Sequence, residues 1–343
     1  MCLGKQAVGI DIADNSIEIA QVKMSFGKPK VISLGRVILA DSIVEFGRIK
    51  NAEKLSLALK ETLSLAKPHA IKIKDIVFGL PERQVFLSHF HLPPHERKKR
   101  EAMILEEILV NIPVVEKDLV YSFRVLSENK DGLEILVAGS KKSVVFEWQD
   151  FFKKNSLNVK IFDIEMLAAF RDLFSALPEK PVCVIDIGTT TSFLGIFDKA
   201  GLRYERVINC AGNNFTSAVA QAEDLDAKKA EVEKIKFGLN SKHKKAAEAL
   251  MAEVKYIAEE IKTTLAFFKK QNNIDVAEIV LVGGSSQLIG LDKYLAQILK
   301  LPVSIGSVSP VGKKAPLEYI EAIGLALRAL DNSWDKKDPE ISL

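Results

Sequence analysis

Two apolar segments of the chain each end near a single aspartate and run into small polar residues. In the later segment, Asp186 is followed by Ile187 and Gly188, and then by Thr189, Thr190 and Thr191. Backbone N–H groups and hydroxyls in such a turn bind phosphate oxygens, and a carboxylate at the strand end holds a hard cation such as Mg²⁺, usually through its waters. The segment is therefore a candidate phosphate- and metal-binding turn.

The earlier segment repeats this pattern about half a chain away. When the two are aligned, Asp11 falls over Asp186, and Asn15 and Ser16 occupy the turn that follows. One such turn is weak evidence, because an apolar run that ends in aspartate is common. Two turns in register are stronger, since they predict a duplicated α/β core with Mg²⁺ near both aspartates.

A third segment has a different chemistry. The apolar run 279–282 is followed by Gly283, Gly284 and Ser285. Because glycine lacks a Cβ atom, this backbone can approach a flat ring or a phosphate closely. An ordinary turn between a strand and a helix explains the same residues, so the segment by itself leaves both interpretations open.

The elements that position these turns follow from apolar periodicity. In the first half it predicts strands at 7–12, 16–24, 31–40 and 75–80, and a helix at 51–66. A compact insert follows, with strands at 84–92, 119–127 and 133–140 and helices at 95–110 and 143–155. We expect Trp148, Phe151 and Phe152 in the core of this insert. In the second half, long helices are predicted at 244–270 and 315–330, and Gly324 inside the latter predicts close approach of another helix.

Composition excludes several classes of protein. The 343 residues include 48 Lys and Arg against 45 Asp and Glu, and the net charge of +3 gives no support for binding to nucleic acid. No apolar run reaches the length of a membrane span, and the N-terminal residues lack the apolar stretch of a secretion signal. Three widely spaced cysteines show no metal-binding spacing, so we expect reduced thiols and a cytosolic protein.

Taken together, these features resemble the superfamily of actin, sugar kinases and DnaK-type chaperones. Within it, the chain resembles the PilM family of type IV pilus assembly proteins, which are relatives of the cell-division protein FtsA. The resemblance runs from about residue 9 to residue 330. Besides the turns, it rests on the short segments 78–81, 92–93, 112–113, 162–165, 167–169, 230–234 and 322–324. Segment 230–234 is similar to the family's ribose-contacting Ala-Glu-x-x-Lys helix.

The resemblance implies a two-lobed actin-like (ribonuclease H-like) α/β fold, with a small α+β subdomain inserted in the first lobe and a nucleotide between the lobes. The expected domains are the first lobe at 1–76, the insert at 77–162, a connecting helix at 163–180, the second lobe at 181–314, a returning helix at 315–330 and a polar tail at 331–343. The residues expected to bind ATP are Asp11, Asn15, Ser16, Asp186, Gly188, Thr189, Thr190, Thr191, Gly212, Glu231, Lys234, Gly283, Gly284 and Ser285.

The family role that this implies is a cytoplasmic ATP-binding scaffold of the pilus inner-membrane platform. Such a scaffold grips the N-terminal cytoplasmic tail of a PilN-like membrane protein, in a groove between the first lobe and the insert, and contacts other platform proteins. Residues 331–343 are polar and include Pro339, so we expect no direct membrane anchor of the FtsA kind. Attachment to the inner membrane would then go through the partner, and self-association stays open.

The chain departs from the family pattern at the first phosphate turn. Ala13, Asp14 and Glu18 stand where small residues and a lysine are usual. Extra carboxylates repel phosphate unless a cation lies between them. Asp163 is the residue that would orient a water for hydrolysis, although capping the next helix explains it as well. We therefore expect at most a slow ATPase.

Two other functions are alternatives to the scaffold. A filament-forming protein like FtsA is the main alternative. A small-molecule kinase of the same superfamily would need a catalytic aspartate beside a substrate pocket, and the insert shows no such signature. Whether the platform serves a pilus or a related secretion system is left open by the sequence.

Overall fold

The computed structural model describes residues 5–94, 97–174, 176–240, 242–308 and 315–330. The chain forms two compact units that divide at residue 175 and again after residue 307, so residues 315–330 belong to the first unit. The predicted polar tail at 331–343 lies outside the described residues.

The helices and strands follow in chain order. The first unit contains β1 (Gln6–Ile12), β2 (Ser16–Ser25), β3 (Lys28–Ile38), β4 (Val44–Glu45), β5 (Arg48–Ile49), α1 (Ala52–Leu65), β6 (Asp75–Leu80), β7 (Val85–Leu92), α2 (Arg100–Asn111), β8 (Leu119–Asn129), β9 (Gly132–Lys141), α3 (Lys142–Lys154), β10 (Asn158–Ile164) and α4 (Glu165–Leu173). The second unit contains β11 (Val182–Ile187), β12 (Ser192–Asp198), β13 (Gly201–Ile208), α5 (Gly212–Glu223), α6 (Ala227–Phe237), α7 (Lys244–Asn272), β14 (Glu278–Val282), α8 (Leu291–Leu299) and β15 (Val303–Ile305). Helix α9 (Ile320–Leu330) returns to the first unit.

Each unit is built on a five-stranded sheet of the same topology. The order is β10-β6-β1-β2-β3 in the first unit and β13-β12-β11-β14-β15 in the second. In both sheets three consecutive strands pair antiparallel, and the remaining two strands run parallel to the first of them. This shared topology confirms the duplicated α/β core that the two aspartate segments predicted.

The insert has a sheet of its own. Strand β9 lies between β7 and β8 and pairs antiparallel with both. Helix α2 covers one face of this sheet, where Ile104 and Ile108 pack with Ile135 and Val137 in a separate core. The predicted α+β insert is therefore present between β6 and β10.

The aromatic residues of α3 lie elsewhere than predicted. Trp148 and Phe152 pack against Phe78 of the five-stranded sheet, with ring centroids 4.8 Å from Phe78 in both cases. They belong to the core of the first unit with Phe151, so the prediction that they fill the insert core was wrong. Helix α3 leads directly into β10, which pairs with β6, and this connection places the helix against the larger sheet.

Helix α9 packs closely in the first unit because small residues line its path. A Cβ atom on Gly324 would overlap the backbone of Ala168 in α4, and one on Gly9 of β1 would overlap the carbonyl of Ala322. The close helix approach predicted at Gly324 is thus confirmed. The helix is held between the sheet and α4.

The second unit has one dominant helix, α7, of 29 residues. Its buried stripe includes Leu250, Val254, Ile257, Ile261 and Phe268, and it packs in the core with the second sheet. The helix also carries many charged residues along its outer face. Within the described ranges, no helix is both long and apolar enough to span a membrane.

Candidate functional site

In the second unit, three loops meet at the carbonyl oxygen of Gly188. The N–H of Gly212 donates to this oxygen at 3.1 Å, and the hydroxyl of Ser285 donates to it at 2.9 Å. The N–H of Asn213 also donates to the carbonyl of Thr189 at 2.8 Å. These bonds join the turn after β11, the start of α5 and the turn after β14 into one structure.

Close backbone packing explains the glycines of these loops. Gly283 has a φ of 82°, and a Cβ atom there would overlap the carboxylate of Asp186. A Cβ atom on Gly212 would overlap the hydroxyl of Ser285. Gly284 differs, because a Cβ atom there would meet nothing within 4 Å. The structure thus brings Asp186, Gly212, Gly283 and Ser285 together and leaves Gly284 in open space.

The threonine turn supplies the polar groups of the site. Its ends are joined by a hydrogen bond of 3.1 Å from the N–H of Gly188 to the carbonyl of Thr191. Gly188, Thr189 and Thr190 are half-buried, whereas Thr191 is buried. Asp186 is also half-buried, and it lies beside Val282 in the adjacent parallel strand. A half-buried carboxylate next to a polar turn is suited to a hydrated cation and phosphate.

Helix α6 is fixed to the start of α5 by Lys234. The Lys234 ammonium group is buried and lies 3.2 Å from the carbonyl of Gly212, 3.0 Å from the Thr216 hydroxyl and 2.7 Å from the Glu231 carboxylate. The Thr216 hydroxyl also contacts Glu231. Lys234 therefore positions the two helices, while the Glu231 side chain, 43% exposed, remains available to a ligand.

Thr216 was not predicted from the sequence. It lies four residues after Gly212 on α5, where its hydroxyl donates to the Gly212 carbonyl at 2.9 Å. The spacing of four residues, which puts both on one helix face, is the signal that would have found it.

In the first unit, Asp11 lies in a cluster of carboxyl groups. Its side chain is buried and forms hydrogen bonds with the side chains of Glu321 and Glu165. Burial raises the pKa of Asp11, and these two hydrogen bonds oppose the rise. A hydrogen bond between two carboxyl groups requires a proton on one of them. Glu165 and Glu321 were missed because they come from α4 and α9, far from Asp11 in sequence.

Asn15 and Ser16 complete the turn of the first unit. The N–H of Ala13 donates to the carbonyl of Ser16 at 3.0 Å, as the matching bond does in the second unit. The Asn15 carbonyl accepts from the N–H of Leu39 at 2.8 Å, so the turn is also tied to the end of β3. The turn therefore has the same closure in both units.

The two extra carboxylates near this turn are both engaged by the fold. Asp14 accepts hydrogen bonds of 3.0 Å from the N–H groups of Phe46 and Gly47. Glu18 is buried opposite Asp11 and lies 2.6 Å from the guanidinium of Arg36. Burial, followed by the charge of Asp11, raises the pKa of Glu18 to about 8, against the opposing effect of Arg36.

Asp163 lies just before α4, at the start of the expected connecting helix. Its carboxylate is fully buried at the end of β10, 3.0 Å from the Arg171 guanidinium, in an ion pair rather than an aligned hydrogen bond. Arg171 in turn donates to the carbonyl of Gly324 at 2.8 Å. The N-cap of α4 is Ile164, which has no side-chain capping bond, so the capping explanation was wrong. The proposed role of Asp163 in orienting water stays a prediction.

The residues 9–330 match the family described as type IV pilus assembly protein PilM. The chain belongs to the PilM family. This match contains both aspartate turns, the loops around Gly188 and the insert. Among the residues that the structure describes, no three or more His, Cys, Asp or Glu side chains are grouped as a metal site would require.

Curated relatives include two FtsA proteins. The cell division protein FtsA of Pseudomonas aeruginosa is 27% identical over 219 residues, which are 55% of this chain and 52% of that protein. FtsA of Buchnera aphidicola subsp. Baizongia pistaciae is 30% identical over 156 residues, which are 36% of this chain and 37% of that protein. The matches thus span about half or less of these relatives.

Solved structures share the fold over nearly the whole chain. A PilM-PilN type IV pilus biogenesis complex has a TM-score of 0.80 at 21% identity, covering 95% of this chain and 98% of the other. Ethanolamine utilization protein EutJ from Carboxydothermus hydrogenoformans has a TM-score of 0.58 at 15% identity, with coverages of 94% and 90%. MreB5 of Spiroplasma citri bound to AMPPNP has a TM-score of 0.55 at 15% identity, with 97% coverage of both. The fold is the two-lobed actin-like α/β fold.

Proposed function

We propose that this PilM-family chain is an ATP-binding scaffold of the type IV pilus inner-membrane platform, on the cytoplasmic side. The observation that carries ATP binding is the junction of three loops at the Gly188 carbonyl, with Gly212 and Ser285 as its donors. Glycines allow these backbones to approach one another, as a phosphate-binding surface requires. MreB5 of Spiroplasma citri, which shares the fold, is bound to AMPPNP in one structure and to ADP in another.

Each part of the site has a distinct role in this proposal. The backbone N–H groups and hydroxyls of the threonine turn bind phosphate, and Asp186 holds Mg²⁺ through water. Glu231, half-exposed beside Lys234, binds the ribose. Bound Mg²⁺ would neutralise phosphate charge. Asp11, Asn15 and Ser16 form the corresponding turn of the first unit.

We expect ATP turnover to be slow at most. In-line transfer needs a positioned water and a cation on the transferring phosphate. Asp163 is committed to Arg171, and Lys234 is surrounded by three oxygen atoms of its own unit. Both side chains therefore have structural tasks that compete with catalysis.

The proposed partner is the N-terminal cytoplasmic tail of a PilN-like membrane protein. The support is family membership together with the fold likeness to a PilM-PilN complex. We place the tail where the insert joins the five-stranded sheet. Beside this junction α3 is joined to β5, since Glu147 accepts from Arg48 at 2.5 Å and from the N–H of Ile49 at 3.0 Å. The Ser140 hydroxyl also donates to the Gln84 carbonyl at 2.8 Å. Such a tail would hold the protein at the inner membrane.

The nucleotide proposal is tested by calorimetric titration of the full chain with ATP and Mg²⁺. We expect saturable binding that Asp186→Ala abolishes or weakens by about tenfold or more, because the variant removes the carboxylate next to the phosphate turn. Asp275→Ala is the matched control, since Asp275 is an exposed carboxylate of the same unit that pairs only with Lys269 among the described residues.

Two results would contradict this proposal. The first is the absence of ATP binding to the wild-type chain, which would leave the fold as an adaptor without nucleotide. The second is equal binding by the wild type and Asp186→Ala, which would place ATP away from the threonine turn. Circular dichroism of each variant verifies that the chain remains folded.

A further inference from the structure

The β2–β3 hairpin ends in a turn whose aromatic residue has no task in the fold. Phe26 and Gly27 form this two-residue turn, with φ values of 51° and 75°. Turns with positive φ at both positions favour Asn-Gly, and a bulky side chain in this conformation is an outlier. Phe26 is fully exposed, and a Cβ atom on Gly27 would meet nothing within 4 Å. Neither backbone preference nor packing accounts for phenylalanine here.

The same chain contains a second Phe-Gly turn that provides a direct comparison. Phe46 and Gly47 join β4 to β5 with φ values of 51° and 71°. There the guanidinium of Arg83 lies 5.0 Å from the Phe46 ring centroid, and Gln84 donates to the Phe46 carbonyl at 2.6 Å. Asp14 accepts from both N–H groups of the turn. Phe46 is 60% exposed but has these partners in the fold, whereas Phe26 is fully exposed.

Three lysines share one face of the β2–β3 hairpin next to Phe26. Lys23 pairs directly with Lys30, and Ser25 pairs with Lys28, so the alternation of side chains puts all three lysines on the same face. Like charges directly opposite one another destabilise a strand pair. The stretch 19–40 contains no acidic residue, and none of the three lysines forms an ion pair with another residue in the described ranges.

We propose that this hairpin tip binds the surface of an anionic phospholipid bilayer. Phe26 enters the interface between headgroups and acyl chains, and Lys23, Lys28 and Lys30 face the anionic headgroups. Anionic lipid relieves the repulsion within the lysine cluster and removes the exposed ring from water, so one partner accounts for both features. A single ring and three charges give a weak, reversible contact. The proposal is independent of ATP binding and of the PilN-like partner.

The charge part is tested by flotation of the full chain with vesicles. We expect the protein to float with mixed phosphatidylglycerol–phosphatidylcholine vesicles at low salt, and to stay behind with pure phosphatidylcholine. Replacing Lys28 and Lys30 together by Gln should weaken binding by about 30-fold, since each basic residue near an anionic leaflet contributes about 1 kcal/mol. Lys60→Gln and Lys244→Gln, made together on exposed helix positions elsewhere, form the matched control.

The aromatic part is tested by Phe26→Asn. Asn-Gly suits this turn, so the melting temperature should stay the same or rise, while vesicle binding falls about tenfold because the buried ring is lost. Phe46→Asn makes the same change in the other Phe-Gly turn and should leave vesicle binding unchanged.

Several outcomes would overturn the lipid proposal. These are no flotation with anionic vesicles, equal flotation with both kinds of vesicle, or flotation that neither Phe26→Asn nor the double lysine variant reduces. Binding of the hairpin to a soluble acidic peptide but not to vesicles would also overturn it, and would favour a protein partner. Calorimetry with ATP on the same variants shows separately whether the nucleotide site is intact.

Discussion

Two acidic residues near the first phosphate turn, Asp14 and Glu18, form interactions in the folded chain that the sequence did not predict. Asp14 and Glu18 suggested electrostatic repulsion of phosphate. In the structure, Asp14 closes the β4–β5 turn and Glu18 pairs with Arg36. Burial raises the pKa of Glu18 to about 8, which favours the neutral carboxyl group near neutral pH. Both carboxyl groups therefore have partners in the fold.

Gly283 and Gly284 allow a sharp test at the same scale. We expect Gly283→Ala to lower the free energy of unfolding by about 1–3 kcal/mol and to abolish ATP binding, because its Cβ atom would overlap Asp186 and its φ is positive. Gly284→Ala should change stability by less than about 0.5 kcal/mol, since that Cβ atom would meet nothing within 4 Å. Urea denaturation measures both. Equal effects of the two substitutions would show that the overlap is not important.

At the scale of elements, the packed helices α4 and α9 contain the buried charged residues Arg171, Asp172 and Arg328. Arg171 of α4 joins Asp163 of β10 to the backbone of α9. Its neighbour Asp172 is fully buried, and neither of its carboxylate oxygens has a hydrogen-bond partner among the described residues. Burial alone raises the pKa of Asp172 to about 8. The helix pair thus contains a carboxyl group that folding keeps protonated.

This raised pKa predicts a pH-dependent stability. The folded-state pKa of Asp172 lies above its usual value of 3.8, so its contribution to stability is fully present below about pH 4 and is lost as the pH rises to about 8. Asp172→Asn removes this titration. The difference between the free energies of unfolding, variant minus wild type, should therefore increase by about 1.4 kcal/mol per pH unit between about pH 4 and pH 8.

Urea denaturation of both proteins between pH 5 and pH 9 measures this difference. A difference that does not vary with pH would mean that water or another group solvates Asp172 in the folded protein. Asp75→Asn, at an exposed carboxylate of the same unit, provides the control.

For the whole molecule, two functions are to be distinguished. One is a scaffold that binds the tail of a single partner, and the other is a filament-forming protein like FtsA. Filaments need two complementary surfaces that repeat without closing, whereas a scaffold needs only the partner site. Family membership and the PilM-PilN fold likeness favour the scaffold. The FtsA matches cover at most 55% of this chain.

We therefore expect light scattering of the full chain to stay flat when ATP and Mg²⁺ are added. Under the same conditions, a fluorescent peptide with the N-terminal sequence of the PilN-like partner should bind, with a rise in anisotropy. A scrambled peptide serves as the control. If scattering increases with ATP and the peptide does not bind, the scaffold proposal is contradicted and the filament-forming function is favoured.

The local features of the protein could be predicted from the amino-acid sequence. Apolar periodicity located most strands and helices, and the alignment of Asp11 with Asp186 revealed the duplicated core, because side-chain period and turn chemistry are local properties. The glycine in α9 likewise predicted a close helix contact. These features depend on residues within a few positions of one another.

Contacts between groups far apart in the chain could not be predicted in this way. The partners of Asp11, Asp14 and Asp163 come from elements far along the chain, and the aromatic face of α3 turned to the five-stranded sheet rather than to the insert. The physical reason is that burial and pairing energies depend on position in space, which a linear pattern of residue types does not encode. Thus Asp14 closes the β4–β5 turn and Asp163 forms a buried ion pair, whereas Asp186 lies at the candidate phosphate site.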